Sequence, residues 1–216
     1  MQVIHPFLWK KTMNDLKIYS VSDRYIDYLF SDPQLTKFIF DSKKNNRTHT
    51  RKYLGTVLEI NGLSYFVPFS SPKPSDYIQN SDGSKTIRKS TMTIIRMTAT
   101  NSRGEIELKG TLKLNNMIPV PVQELVYYDI SAETDVAYKD LLQKEYAFIK
   151  ANKTEIKKKS AVVYSQQCTR ELLLAKEPQE LTNKERRILE SSPNYLNFTV
   201  PFAYVELKCK DFIHGQ

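Results

Sequence analysis

Tyr53-Leu54-Gly55-Thr56-Val57-Leu58-Glu59-Ile60-Asn61-Gly62-Leu63-Ser64-Tyr65-Phe66-Val67-Pro68-Phe69 is the stretch on which the fold class turns. Two runs rich in aromatic and β-branched residues, 53–60 and 64–69, flank Asn61-Gly62 and Leu63. An Asn-Gly pair tolerates the positive φ angles that a two-residue hairpin turn demands, so the stretch predicts a β-hairpin.

Working outward, residues 17–21 alternate and predict a strand. Ser22 suits an N-cap, with Tyr25, Tyr28 and Leu29 on one face of the following helix. Residues 31–52 predict an irregular stretch that becomes strongly basic. After the hairpin, residues 70–90 predict a long polar loop. Strands are expected at 91–100 and 105–114, joined by a turn at 101–104, and 115–129 predicts a broken strand or connection containing Pro119 and Pro121.

The later half is helical. Tyr138, Leu141, Leu142, Tyr146 and Ile149 keep a helical period. Thr154, Thr169 and Thr182 are each expected to precede a further helix, the last ending before Pro193, and 198–207 is expected to close the fold as a strand. Strands first and helices later predict an α+β fold in a compact single domain. Residues 1–14 are expected to be an N-terminal extension, with Met13 as an alternative start, and 15–216 the domain.

The 216 residues suit one core, and a formal charge of +8 points to a polyanion, either nucleic acid or an acidic membrane surface. Cys168 and Cys209 are far apart and have no partner spacing, which argues against a disulfide framework or a zinc site. No apolar run approaches the roughly 20 residues that span a bilayer. Phe7-Leu8-Trp9 is cut short by Lys10-Lys11, unlike a secretory signal, so a cytoplasmic location is expected.

The three histidines, His5, His49 and His214, form no spaced pair, so a two-histidine nuclease is not expected and His49 is expected to be solvated. Carboxylates are scattered rather than clustered for magnesium, and no phosphate loop or GxGxxG is present, so no metal or cofactor is expected. Pro68-Phe69-Ser70-Ser71-Pro72-Lys73-Pro74 is different. Prolines stiffen a strand exit carrying two hydroxyls and an ammonium, which suits groups held at working geometry and equally suits a rigid solvated turn. Lys43, Lys44, Arg47, Arg51 and Lys52 form a basic stretch ending beside Tyr53, fit for phosphates or for solvent. Lys150, Lys153, Lys157, Lys158 and Lys159 form another near a helix boundary.

The series Lys17-Ile18-Tyr19-Ser20-Val21-Ser22-Asp23-Arg24-Tyr25-Ile26-Asp27-Tyr28-Leu29, then Tyr53 to Gly62 continuing to Ser70-Ser71-Pro72-Lys73, resembles the ToxN/AbiQ family of type III toxins. Asn116-Met117-Ile118-Pro119-Val120, and Tyr138-Lys139 through Phe148-Ile149-Lys150-Ala151-Asn152, follow in order, so the likeness spans about residues 15–160. It implies a strongly twisted antiparallel β core flanked by helices, similar to the MazF/CcdB toxins. It also implies a metal-independent endoribonuclease, sequence-specific and active in phage defence by abortive infection. A small pseudoknot-like antitoxin RNA, processed from a repeat precursor, restrains it within a closed toxin–RNA assembly.

By the resemblance, Ser71 and Lys73 match the family's Ser and Lys outright, Ser70 stands where a Thr is usual, and Arg51 aligns with a basic position. Arg in place of Lys keeps charge but not the ability to release a proton. Tyr25 and Lys52 are expected near RNA, as are both basic segments. In the expected reaction the RNA 2′-hydroxyl attacks phosphorus, leaving a 2′,3′-cyclic phosphate and a 5′-hydroxyl. Lys73 and Arg51 would stabilise charge, Ser71 would orient the reacting groups and Ser70 would support it. A non-catalytic RNA-binding protein using the same groove is the rival. A DNA-binding regulator is disfavoured, because no helix-turn-helix pattern stands near the basic residues.

Overall fold

A computed structural model describes residues 16–39 and 49–215. Strand β1 (Lys17–Val21) leads into α1 (Asp23–Phe30), whose N-cap Ser22 accepts the Tyr25 N–H. The hairpin forms from β2 (Lys52–Ile60) and β3 (Leu63–Ser70). Asn61 and Gly62 turn it with φ of 52° and 76°, the positive values the sequence suggested.

Residues 70–90 contain more structure than the predicted loop. A short 3-10 turn at Pro74–Asp76 precedes a small hairpin, β4 (Tyr77–Gln79) with β5 (Lys85–Ile87). Asn80 holds its turn by donating to the Ser84 and Thr86 hydroxyls, side-chain bonding with no hydrophobic signature. β6 (Ile94–Thr100) and β7 (Ile106–Lys113) follow as expected, then β8 (Ile118–Pro119) and β9 (Leu125–Tyr127).

The main sheet runs β6-β7-β3-β2-β1-β9, with β8 on β3, and its pairings are antiparallel. Residues 52–57 of β2 are buried without alternation, so the central strand is covered on both faces. Helix α2 (Val136–Ala151) packs on β6 and β7, while α3 (Lys153–Leu174) packs on β2. Ile156, Ser160, Val163 and Gln167 form the buried stripe of α3 at spacings of three and four. Helix α4 (Asn183–Glu190) starts at Thr182, which shares a reciprocal capping box with Glu185, and ends before Pro193 as expected.

Three helix expectations need correction. Thr154 lies in the first turn of α3, which begins at Lys153, and Thr169 lies inside that helix. The predicted closing strand is instead α5 (Phe202–His214), preceded by a 3-10 turn at Asn194–Phe198. Phe202, Val205 and Cys209 are fully buried at helical spacing. The Glu171 carboxylate of α3 accepts the N–H groups of Phe202 and Ala203 at 2.7 and 2.9 Å. It satisfies free donors at the start of α5 from another helix, a contact invisible to local pattern.

Together these elements make a mixed helix and antiparallel-sheet domain. Among the described residues, no helix is long and apolar enough to cross a membrane.

Candidate active site

The starts and ends of the central strands converge on a cleft of about 420 Å³ lined by His49, Arg51, Lys52, Ser70, Ser71, Lys109, Tyr138 and Glu145, among others. Register explains the meeting. Tyr53 of β2 faces Pro68 of β3, while Phe69 and Ser70 face Leu112 and Thr111 of β7. The residues just before β2 and just after β3 therefore share one sheet end, and α2 forms the opposite wall.

Arg51 is nearly enclosed, at 8 % exposure, and its Nη1 donates to the Phe69 carbonyl at 2.6 Å. This bond fixes the guanidinium across the strand exit that carries the two serines. Ser71 is exposed and Ser70 half-buried. Thr111 Oγ1 donates to the Ser70 carbonyl at 3.4 Å, which helps hold the exit on β7.

Lys73 is exposed and stands one residue beyond the cleft wall, which ends at Pro72. Its backbone N–H donates to Asp76 Oδ2 at 2.9 Å. Asp76 in turn pairs with Arg96, whose Nη1 donates to the Lys89 carbonyl at 2.7 Å. The segment after Ser71 is thus tied to β6. Burial lowers the pKa of Lys113, and the neighbouring cations Lys73, Arg96 and Arg51 add to that effect while Asp76 opposes it. A half-buried lysine and three more cations therefore share this sheet end.

Lys52 is largely enclosed. Its Nζ donates to Thr50 Oγ1 at 3.1 Å and Ser20 Oγ at 3.3 Å, and lies 4.0 Å from the Tyr128 ring centre. Burial lowers its pKa, with Glu133 pulling the other way. A lysine that holds its proton less firmly therefore adjoins the arginine expected at the basic position.

The sequence reading missed several members of the cleft. His49 is not a merely solvated residue. Its ring stacks on Tyr138 with centroids 3.8 Å apart and 7° between planes, and Nε2 lies 3.3 Å from Asp135 Oδ2. Glu145 is 5 % exposed, and burial pushes its carboxyl up to about 8. Glu145 was hidden because helical spacing alone does not tell which face meets a cleft, and His49 because its partners Tyr138 and Asp135 lie far along the chain.

Tyr25 requires correction. It is fully buried, its hydroxyl donates to the Pro119 carbonyl at 2.7 Å, and burial drives its pKa well above the ordinary value. A side chain so enclosed has no surface to offer RNA. Lys43, Lys44 and Arg47 lie outside the described residues.

The second basic segment lies apart from the cleft. Lys158 and Lys159 line a groove of about 630 Å³ with Met92, Asn152 and Thr154. Lys159 is occupied, donating to the Thr91 carbonyl at 3.1 Å and pairing with Glu155 at 2.8 Å. Lys150 is exposed and sits 5.2 Å from the Tyr146 ring centre, while Lys153 and Lys157 are half-buried. Among the described residues, no three His, Cys, Asp or Glu side chains gather as metal ligands would.

Comparison with known proteins agrees with this architecture. The chain is 33% identical over 150 residues to the endoribonuclease ToxN of Bacillus thuringiensis subsp. kurstaki, covering 68% of this chain and 66% of that protein, just under two thirds. It is 29% identical over 147 residues to the endoribonuclease ToxN of Pectobacterium atrosepticum, covering 67% and 77%. It is 28% identical over 160 residues to the endoribonuclease AbiQ of Lactococcus lactis subsp. lactis, covering 73% and 79%.

A solved structure of a bacterial type III system, in which a non-coding RNA pseudoknot selectively inhibits the toxin, superposes with a TM-score of 0.63. Its identity is 26%, over 92% of this chain and 98% of that one. The AbiQ structure shares the fold at a TM-score of 0.62 and 23% identity, over 92% and 98%. The family model described as "Toxin ToxN, type III toxin-antitoxin system" matches residues 17–206, and the chain belongs to that family.

Proposed function

We propose that this protein is the endoribonuclease toxin of a type III toxin–antitoxin system. It cuts RNA without a metal, through attack of the 2′-hydroxyl on the adjacent phosphorus, to leave a 2′,3′-cyclic phosphate and a 5′-hydroxyl. The observation that carries this reading is the Arg51 Nη1 bond to the Phe69 carbonyl, which holds a permanent cation beside Ser70 and Ser71 in the cleft. A fixed cation lowers the energy of the extra negative charge on phosphorus without reorganising during the reaction.

Ser71 hydrogen-bonds the reacting hydroxyl or a phosphate oxygen, Ser70 supports it, and Lys73 reaches in from the stiffened loop to add charge stabilisation. Burial lets Lys52 lose its proton more readily than the adjacent Arg51, so its neutral form can accept one from the 2′-hydroxyl. The toxin acts in the bacterial cytoplasm on cellular or phage RNA, as an abortive-infection defence. A pseudoknot-like antitoxin RNA, processed by the toxin from a repeat precursor, restrains it in a closed assembly with Lys150, Lys153, Lys157, Lys158 and Lys159 against RNA. The antiparallel core with its flanking helices is our ground for proposing a MazF/CcdB-like, strongly twisted fold.

The test is to incubate the purified toxin with RNA in excess EDTA and map the product ends. Cyclic phosphate and 5′-hydroxyl ends are expected. A 5′-phosphate product, or cleavage lost in EDTA and restored by magnesium, overturns the mechanism.

A further inference from the structure

Glu145 occupies a position that stability alone does not favour. It projects from α2 against β7 where residue 110 is glycine, and a Cβ there would lie 2.0 Å from Glu145 Oε1. The same Cβ would lie 3.1 Å from the methyl of Met97, which is itself fully buried. The missing side chain at Gly110 is therefore the space the carboxyl fills. Among the described residues no donor hydrogen-bonds that carboxyl. A buried acid without a partner costs stability, and such costs gather at functional sites.

The carboxyl also lies on the wall of the cleft that holds Arg51, Ser70 and Ser71. The other charged or titratable groups on that wall are His49 and Lys52 near the start of β2, Lys109 of β7 and Tyr138 of α2. Lys109 pairs with Glu107, and His49 is held between Tyr138 and Asp135. Arg51 cannot give up a proton near neutral pH, and a serine hydroxyl is a weak acid. The cleavage needs a proton for its leaving group; Lys52 is already taken as the acceptor for the 2′-hydroxyl and Lys73 stands outside the cleft wall, so another donor is required.

We propose that Glu145 is the general acid of the cleft, donating its proton to the O5′ atom of the departing nucleotide. This rests on the cyclic-phosphate reading above. As the O2′–P bond forms, the 2′-hydroxyl proton passes to neutral Lys52, which later releases it to water. As the P–O5′ bond breaks, O5′ takes the Glu145 proton, and the resulting carboxylate is reprotonated from water. Burial raises the Glu145 pKa to about 8, which keeps the acid loaded at neutral pH.

The experiment compares a short RNA containing the mapped cleavage site with the same RNA carrying sulfur in place of O5′ at the scissile bond. A thiolate departs without a proton, so only the oxygen substrate needs the acid. Glu145→Gln is expected to slow single-turnover cleavage of the oxygen substrate by about 100-fold or more and to cleave the sulfur substrate at close to the wild-type rate. Wild-type cleavage of the oxygen substrate is expected to fall above about pH 8, and this alkaline limb should be absent in Glu145→Gln and retained in His49→Gln. The wild-type enzyme acting on the sulfur substrate should also lack the limb, which tests the assignment without any variant.

Three results overturn the proposal. They are an oxygen-substrate rate unaffected by Glu145→Gln, equal slowing on both substrates, or a wild-type alkaline limb that persists with sulfur. If the wild-type products carry 5′-phosphate ends, the cyclic-phosphate reading itself fails. Cyclic ends combined with any of the three results remove only Glu145.

Discussion

Asp76 and Arg96 form an ion pair at 2.9 Å with both side chains nearly enclosed, and the other Asp76 oxygen accepts the Lys73 N–H at 2.9 Å. One carboxylate therefore couples the core strand β6 to the backbone of a residue expected to act on RNA. The pairing links a stability cost directly to the geometry of the reactive loop.

Breaking that pair leaves a buried charge without its partner, so Asp76→Ala is expected to cost about 3–5 kcal/mol in urea unfolding. Replacing both partners with apolar residues, as Asp76→Leu with Arg96→Met, should recover most of that stability. Cleavage by the double variant should stay low, because the Lys73 N–H still lacks its acceptor. Full activity in the stable double variant would show that the loop needs no anchor.

Ser71 and Lys73 are exposed, and exposed loop changes usually alter stability by less than about 0.5 kcal/mol. Ser71→Ala and Lys73→Ala are each expected to abolish growth arrest in a host lacking the antitoxin, with unfolding curves matching the parent. Arrest by both variants would place the reaction centre elsewhere.

Salt dependence measures how many phosphates the second basic segment neutralises. Lys150 and Lys158 are exposed, whereas Lys159 is already bonded to Thr91 and Glu155. Replacing Lys150 and Lys158 with Ala should weaken antitoxin RNA binding and flatten the slope of log K against log salt by about 0.7–0.9 per lost contact. Saturated cleavage of a short RNA should survive. An unchanged slope would make this basic segment a solvated face.

Glu171 caps α5 from α3 through two backbone bonds. Glu171→Ala is expected to cost about 0.5–2 kcal/mol, the range of lost N-caps. Amide exchange should rise first in the opening turn of α5. Protection there equal to the parent would show that packing alone holds the helix.

The hairpin at Asn61-Gly62, the Ser22 and Thr182 caps and the period of α2 were all legible in the sequence. Each depends on contacts within a few residues: a turn that needs positive φ, a hydroxyl over the next turn's N–H groups, an apolar stripe. The ordered motifs from 17 to 152 also carried the family, together with Arg51, Ser70 and Ser71 of the cleft. The final helix was not legible, because the cap at Glu171 lies 31 residues upstream of Phe202 and β-branched and aromatic residues there mimic a strand.

Tyr25 illustrates the opposite error. A tyrosine in a recognisable motif suggested a surface, but packing seals it against Phe212 and bonds its hydroxyl to Pro119. Glu145 likewise looked like one more polar position on an amphipathic helix. Its meaning depends on Gly110, 35 residues earlier, leaving a space that only the packing of α2 on β7 turns toward the cleft. Local propensity and family motifs determined the hairpin, the caps and the residues at the strand exit. Burial, and with it which polar groups face the cleft, was decided only when distant elements packed, because desolvation depends on all neighbours in space rather than on those in sequence.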